Sequence, residues 1–386
     1  MSKRANGEGS IYQRKDGRWT GATYVIRPDG GRERRQVYGT TRGAVAAKIA
    51  DLITKTANGV PASSSDWTVE GYAAHWLANI APGALRPATR SNYAWIMRKY
   101  VVPAVGKRKL DKLTPAHVRE MHTKVSATGV SDRTVQLSHA VLRTMLSEAV
   151  REQYVSRNVA SLVRAPRGER AEIVPWSLAD VEAFVKSAQD HRLSALFTLA
   201  YSTGLRRGEL LGLRWQDLDF DRRLLHVRQT LQRLGKDEGL VLGPPKSMRS
   251  RRSIPLPAVA LEALTIHRQE QLVERSAARE GWVESDFVFT TTIGTSIEPS
   301  NLLRTFNALT AKAGVRRIRF HDLRHTFASL MFSQNVPPRV VMDVLGHSTL
   351  AITTDLYAHI MPSALVDAAT AMDSLHVSSL QKEARS

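Results

Sequence analysis

The 386-residue sequence predicts a mainly helical, multidomain (α+β) protein. It should comprise a small three-stranded sheet with one helix, a helical middle domain, and a larger, mostly helical domain with a small antiparallel sheet. Three observations predict this. Short β-prone runs separated by turn signals fill the first 40 residues, helical periodicity dominates most of the remaining chain, and two loop-like segments interrupt it. The expected domains are residues 1–60, 66–163 and 172–386, and a hydrophobic content of 42% is enough for two or three cores.

In the first domain, Ile11-Tyr12, Trp19 to Ile26 and Arg32 to Tyr38 are the β-prone runs. The turn signals between them are Lys15-Asp16-Gly17 and Arg27-Pro28-Asp29-Gly30-Gly31. From Arg42 to Thr56 the composition turns to alanine, isoleucine and leucine with interspersed lysine, as in an amphipathic helix. Arg32, Arg34 and Arg35 put cations on the third strand; they suit either a nucleic-acid groove or a charged edge protected from aggregation. Gly59 to Ser65 is a linker by composition.

Helical patterns then cover Thr68–Asn79, Ala88–Val101, Pro115–Val125 and Asp132–Tyr154, and Thr114 before Pro115 is a good helix start. Basic residues accompany this block, among them Arg86, Arg90, Arg98, Lys99, Lys107, Arg108 and Lys109. Singly they fit a solvated face, and as a group they fit phosphate-backbone contacts. Arg164 to Pro175 reads as the second linker. Ser177 should cap a helix over Leu178–Gln189, and Leu193–Ser202 should form a buried one. Leu224–Leu231, Leu240–Leu242 and Arg251–Leu256 are strand-like and predict the small sheet, after which helices resume.

A formal charge of +19 points to a polyanionic partner. DNA is the simplest choice, although charge alone would also suit RNA, ribosomes or an anionic membrane. The absence of cysteine excludes disulfides and thiolate zinc sites. Met1 to Asn6 is basic but no apolar stretch follows it, and Leu193–Leu205 is too short and too polar to span a bilayer. A cytoplasmic protein without a membrane partner is therefore expected.

Arg206 and Glu209 lie in Thr203-Gly204-Leu205-Arg206-Arg207-Gly208-Glu209-Leu210-Leu211. Their spacing of three places them on one helix face, as a surface ion pair would also be. Lys246 lies in Gly243-Pro244-Pro245-Lys246-Ser247-Met248-Arg249-Ser250-Arg251-Arg252, a basic turn between strands. His321 and Arg324 share His321-Asp322-Leu323-Arg324-His325. His347 follows the helix-ending glycine of Leu345-Gly346-His347-Ser348, and Tyr357 stands ten residues later. Two arginine forks, a lysine, two histidines and a phenol could attack a phosphodiester with no cofactor and no metal. The i,i+4 pair His321 and His325 also has zinc-helix spacing, but Asp322 stands where a zincin carries glutamate, and Arg324 would set a cation beside the metal.

At these motifs the sequence resembles the tyrosine recombinase, or phage integrase, family, in a three-domain form spanning nearly the whole chain. The resemblance implies an N-terminal arm-binding domain, a core-binding domain and a catalytic domain. It implies a site-specific DNA recombinase with catalytic residues Arg206, Lys246, His321, Arg324, His347 and Tyr357, and Glu209 in support. Tyr357 would be the nucleophile forming a 3′-phosphotyrosyl intermediate, and Lys246 would protonate the leaving 5′ oxygen. The expected partners are double-stranded DNA at core and arm attachment sites, three further copies in a homotetramer, and DNA-bending or directionality proteins. The setting implied is a bacterial host. A helical tail over Pro362 to Val377 would pack on a neighbouring protomer or on its own domain. The competing readings are a type IB topoisomerase and a DNA-binding regulator whose catalytic set has decayed.

Overall fold

The computed structural model describes residues 10–26, 32–57, 67–168, 173–235, 239–245 and 250–346. It divides into two compact units, 1–170 and 171–386. The linker Gly59–Ser65 and the tail 362–377 lie outside the described residues. Among the described residues no helix is long and apolar enough to cross a membrane.

The first unit opens with an antiparallel sheet in the order β1 (Ser10–Gln13), β2 (Trp19–Ile26), β3 (Arg32–Gly39), followed by α1 (Arg42–Ala57). Val45 and Ile49 of α1 close on Gly21, so α1 covers one face of the sheet. Strand alternation assigns the other face. There Tyr12, Thr20 and Tyr38 form one cross-strand row, and Tyr24 stands opposite Arg34. The three tyrosines are 47–63% exposed and Arg32 and Arg34 are exposed. Arg35 departs from the expected cationic surface. It pairs with Thr23 on the covered side and is half-buried.

The helical part of this unit contains α2 (Val69–His75), α3 (Ala81–Ala84), α4 (Pro87–Ile96), α5 (Val102–Val105), α6 (Pro115–Ser126) and α7 (Asp132–Arg151). Two expected helices are each interrupted by a π-helical turn, Trp76–Ile80 and Met97–Val101. Both turns end one residue before the one preceding a proline, Pro82 and Pro103. A proline ring collides with the carbonyl four residues back, and the wider turn relieves that collision. The i→i+5 bonds from Ala81 N–H to Trp76 O and from Val102 N–H to Met97 O result. Thr114 caps α6 by accepting from His117 N–H. Trp76, Tyr72, Ile96, Met121 and Leu142 form the buried centre.

The second unit contains α8 (Leu178–Ala188), α9 (Ser194–Thr203) and α10 (Arg207–Leu211), then β4 (Leu218–Asp219), β5 (Leu224–Val227), β6 (Thr230–Arg233), β7 (Leu240–Gly243) and β8 (Arg252–Pro255). Helices α11 (Ala258–Ala278), α12 (Pro299–Lys312), α13 (Asp322–Ser333) and α14 (Pro338–Leu345) come after them. Trp176, Phe184, Phe197, Phe306 and Phe320 form an aromatic core. The single small sheet read from the sequence is two: β4-β5-β8 and the hairpin β6-β7. The expected strand Leu224–Leu231 breaks at Arg228-Gln229. There the Gln229 amide donates to Gly212 O at 2.8 Å and Arg228 approaches Asp217, so the chain leaves one sheet before entering the next.

Ser177 and Asp180 cap α8 reciprocally, with Ser177 Oγ accepting from Asp180 N–H at 3.2 Å and Asp180 Oδ2 accepting from Ser177 N–H at 2.9 Å. Losing such a cap costs about 1 kcal/mol. In Ser177→Ala, first-turn amides of α8 should exchange hydrogen about fivefold faster, measured by native-state exchange; unchanged protection would contradict this assignment.

Candidate active site

The site is built around one buried carboxylate. Glu209 is 3% exposed and lies in α10, whose start follows a sharp exit from α9. Gly204 makes that exit possible. It adopts φ +63°, and a Cβ there would lie 2.5 Å from Leu345 Cδ2 and 2.8 Å from Phe327 Cδ1, so a side chain would push α13 and α14 away. Two residues later Arg206 sits at the N-cap of α10. Its backbone N–H donates to Glu209 Oε2 at 3.0 Å and its Nη1 to Oε1 at 2.8 Å.

A second guanidinium completes the carboxylate. Arg252 of β8 donates from Nη2 to Glu209 Oε2 at 3.0 Å and from Nη1 to Oε1 at 3.2 Å. Burial alone would raise the Glu209 carboxyl, but the hydrogen bond and charge of Arg252, then Arg206, outweigh it and hold the group below its ordinary range. Sequence reasoning missed this role for Arg252, treating it as one more cation of a basic turn. The signal was strand alternation: Arg252 shares a face with the buried Ile254.

Arg324 is the third guanidinium and is 3% exposed. It lies in the first turn of α13 and donates from Nη1 to Gly204 O at 2.7 Å and from Nη2 to Leu345 O. Arg206 Nη2 reaches Gly346 O at 3.3 Å and Arg252 Nε reaches Val344 O. Three arginines thus bind the last carbonyls of α14, where a helix leaves its acceptors unsatisfied and carries negative partial charge. Gly346 ends α14 in the left-handed region at φ +66°.

Burial, then the charge of Arg206, pushes the Arg324 guanidinium well below its ordinary range. A guanidinium keeps its proton under physiological conditions, so Arg324 remains a cation, and the nearby Glu209 carboxylate opposes the shift. His321, at the N-cap of α13, is lowered to about 4 by burial, then by Arg324, His325 and Arg206. His321 is therefore neutral at pH 7. The residue as a whole nonetheless reaches the surface. His325 is lowered as well, chiefly by burial, and its ring lies 5.8 Å from that of His321 at 88°. Asp322 accepts from Arg319 N–H and guanidinium, which occupies the acidic group between the two histidines. Among the described residues no three His, Asp or Glu side chains form a metal-binding group.

The structure therefore brings together Arg206, Glu209, His321 and Arg324. Lys246, His347 and Tyr357 lie outside the described residues.

Residues 178–363 match the phage integrase family, and residues 68–126 match the phage integrase N-terminal SAM-like domain. The "Tyrosine recombinase XerC-like" protein of Caldanaerobacter subterraneus subsp. tengcongensis is 30% identical over 361 residues, spanning 89% of this chain and 92% of that protein. The chain belongs to the phage integrase family. It is a site-specific tyrosine recombinase, an integrase of a phage or other mobile element. An integrase of Saccharopolyspora erythraea is 28% identical over 95% of this chain and 96% of its own length. The fold of this integrase is shared with the Tn1549 transposon integrase in complex with transposon right end DNA. That structure has a TM-score of 0.66 and 20% identity, covering 75% of this chain and 94% of that one. It is also shared with a lambda integrase dimer bound to a COC′ core site, with a TM-score of 0.58 and 16% identity over 92% and 96%.

The lowered histidines fix a pH dependence. Above about pH 6.5, the ordinary imidazole value, both folded and unfolded chains carry His321 and His325 neutral. Below it the unfolded chain takes up protons that the folded one resists, so stability present above 6.5 is lost as pH falls toward about 4, the His321 value. The thermal midpoint should drop between pH 7 and 5, and His321→Gln or His325→Gln should flatten that slope. A slope unchanged in both variants would contradict the assignment.

Proposed function

We propose that this integrase cuts and rejoins DNA through a 3′-phosphotyrosyl intermediate with Tyr357 as nucleophile. The observation that carries this reading is the cluster in which Glu209 fixes Arg206 and the α14 carbonyls fix Arg324. It presents two guanidiniums beside a neutral imidazole, and His347 is next in sequence after Gly346. Arg206 and Arg324 bind the non-bridging oxygens of the scissile phosphate and stabilise the charge that grows on them. His321 takes the Tyr357 proton and His347 donates to a phosphoryl oxygen. The phenolic oxygen forms a bond to phosphorus as the bond to the 5′ oxygen breaks, and Lys246 gives that oxygen its proton. The phosphotyrosyl ester conserves the bond energy, so attack by a 5′ hydroxyl reseals DNA without a nucleotide cofactor.

Exchange of two duplexes involves four strands, and four protomers supply four nucleophiles; one of the lambda integrase structures is a tetramer bound to a Holliday junction. Residues 1–60 serve as the arm-site module, with the Tyr12, Tyr24, Tyr38, Arg32 and Arg34 face of its sheet toward DNA. Residues 66–163 bind the core site and residues 172–386 carry the chemistry. DNA-bending and directionality proteins complete the reaction in the bacterial host.

Tyr357→Phe should abolish the covalent protein–DNA adduct on a nicked suicide substrate while leaving site binding nearly intact. An adduct that persists in denaturing gels would remove Tyr357 as the nucleophile. Lys246→Ala should be severely slowed on ordinary DNA and largely restored on a substrate with a bridging 5′ sulfur, since a thiolate leaves without protonation. Equal sulfur rescue of Arg206→Ala would contradict the separation of leaving-group and non-bridging roles.

A further inference from the structure

The sheet that delivers Arg252 to Glu209 has a second face. Strands β5 and β8 pair antiparallel with Leu225 opposite Ile254, His226 opposite Ser253 and Val227 opposite Arg252. Leu225, Ile254 and Val227 are buried, and Arg252 goes inward with them, its side chain only 6% exposed. Alternation then sends His226 and Ser253 outward. One residue beyond the paired strands, Arg228 and Arg251 stand exposed at the same end. His226 Nδ1 lies 2.8 Å from Ser253 Oγ. Together with Val227 and Arg252, these four residues line an open cleft of about 490 Å³.

The chemistry of the cleft selects an anion. No carboxylate lines it, and its polar groups are guanidiniums, an imidazole and a hydroxyl. Arg228 approaches the buried Asp217 at 3.6 Å, a carboxylate that Arg214 also contacts at 3.4 Å. Arg251 has no hydrogen bond or ion pair among the described residues. Strand β8 and the residue before it thus set adjacent arginines to opposite uses: Arg252 on Glu209, Arg251 in the cleft.

We propose that His226, Arg228, Arg251 and Ser253 form a phosphate clamp for one non-scissile backbone phosphate of the bound DNA. This inference rests on the DNA-cleaving reading above and assigns it a second anchor. A phosphodiester held there fixes β8 against the DNA, and β8 in turn holds Arg252 on Glu209. The four residues position the substrate and do not touch the reacting atoms.

The test uses the full chain and its core-site duplex, mapped by footprinting, with a single neutral methylphosphonate placed at each backbone position in turn. For the native protein, neutralising one non-scissile phosphate should lower affinity about tenfold, the scale of one hydrogen bond to a charged group. In Arg251→Ala, which removes no described contact, that same modification should cost less than about twofold. The log–log salt slope should fall by about 0.9. His226→Ala should show the same coupling at the same phosphate. Effects that multiply at every position would overturn the clamp, as would coupling confined to the scissile phosphate. The same scan in Tyr357→Phe keeps the two claims separate, because the clamp requires no nucleophile: coupling there with adduct formation intact would count against Tyr357 alone.

Discussion

A single buried carboxylate holds the catalytic unit's site in place. Burying Glu209 is expensive, and its cost is offset only because two guanidiniums and one backbone N–H supply hydrogen bonds to both of its oxygens. With Arg324 nearby, three guanidiniums face one carboxylate, so the cluster carries more positive than negative charge. The α14 carbonyls accept from all three arginines but bring only partial charge. The remaining imbalance is what a phosphate oxyanion would satisfy, and it adds to burial, the larger cause, in keeping His321 neutral.

The fold serves this arrangement through close approaches. Gly204 lets α9 end against α13 and α14, which brings the Gly204, Val344, Leu345 and Gly346 carbonyls within reach of the three arginines. The β5–β8 register brings Arg252 from a distant part of the chain, and the same register presents a basic cleft on the outer face.

Much of this was legible in the sequence because it is local. Turn residues delimit β1 to β3, cap residues mark the starts of α6 and α8, and the spacing of three in Arg206/Glu209 and His321/Arg324 sets each pair near a helix start. The features that were not legible depend on tertiary partners. Arg228-Gln229 reads as strand until the Gln229 amide bonds Gly212 and Arg228 comes near Asp217. Arg35 reads as one of three equivalent cations until pairing with Thr23 turns it to the covered face. Arg252 lies in a run of arginines that charge alone cannot rank, and only the buried Ile254 two residues on marks its direction. The π turns before Pro82 and Pro103 follow from proline geometry, but a helical hydrophobic pattern continues through them unchanged.

On the proposed mechanism, Glu209 acts on catalysis through the arginines it holds. Single-turnover adduct formation on a suicide substrate, compared among Glu209→Gln, Arg206→Ala and the double variant, tests this most directly. Glu209→Gln should slow the step on the order of 100-fold, the scale of a lost oxyanion donor, and should add little once Arg206 is gone. A near-normal rate in Glu209→Gln, or penalties that multiply in the double variant, would contradict it.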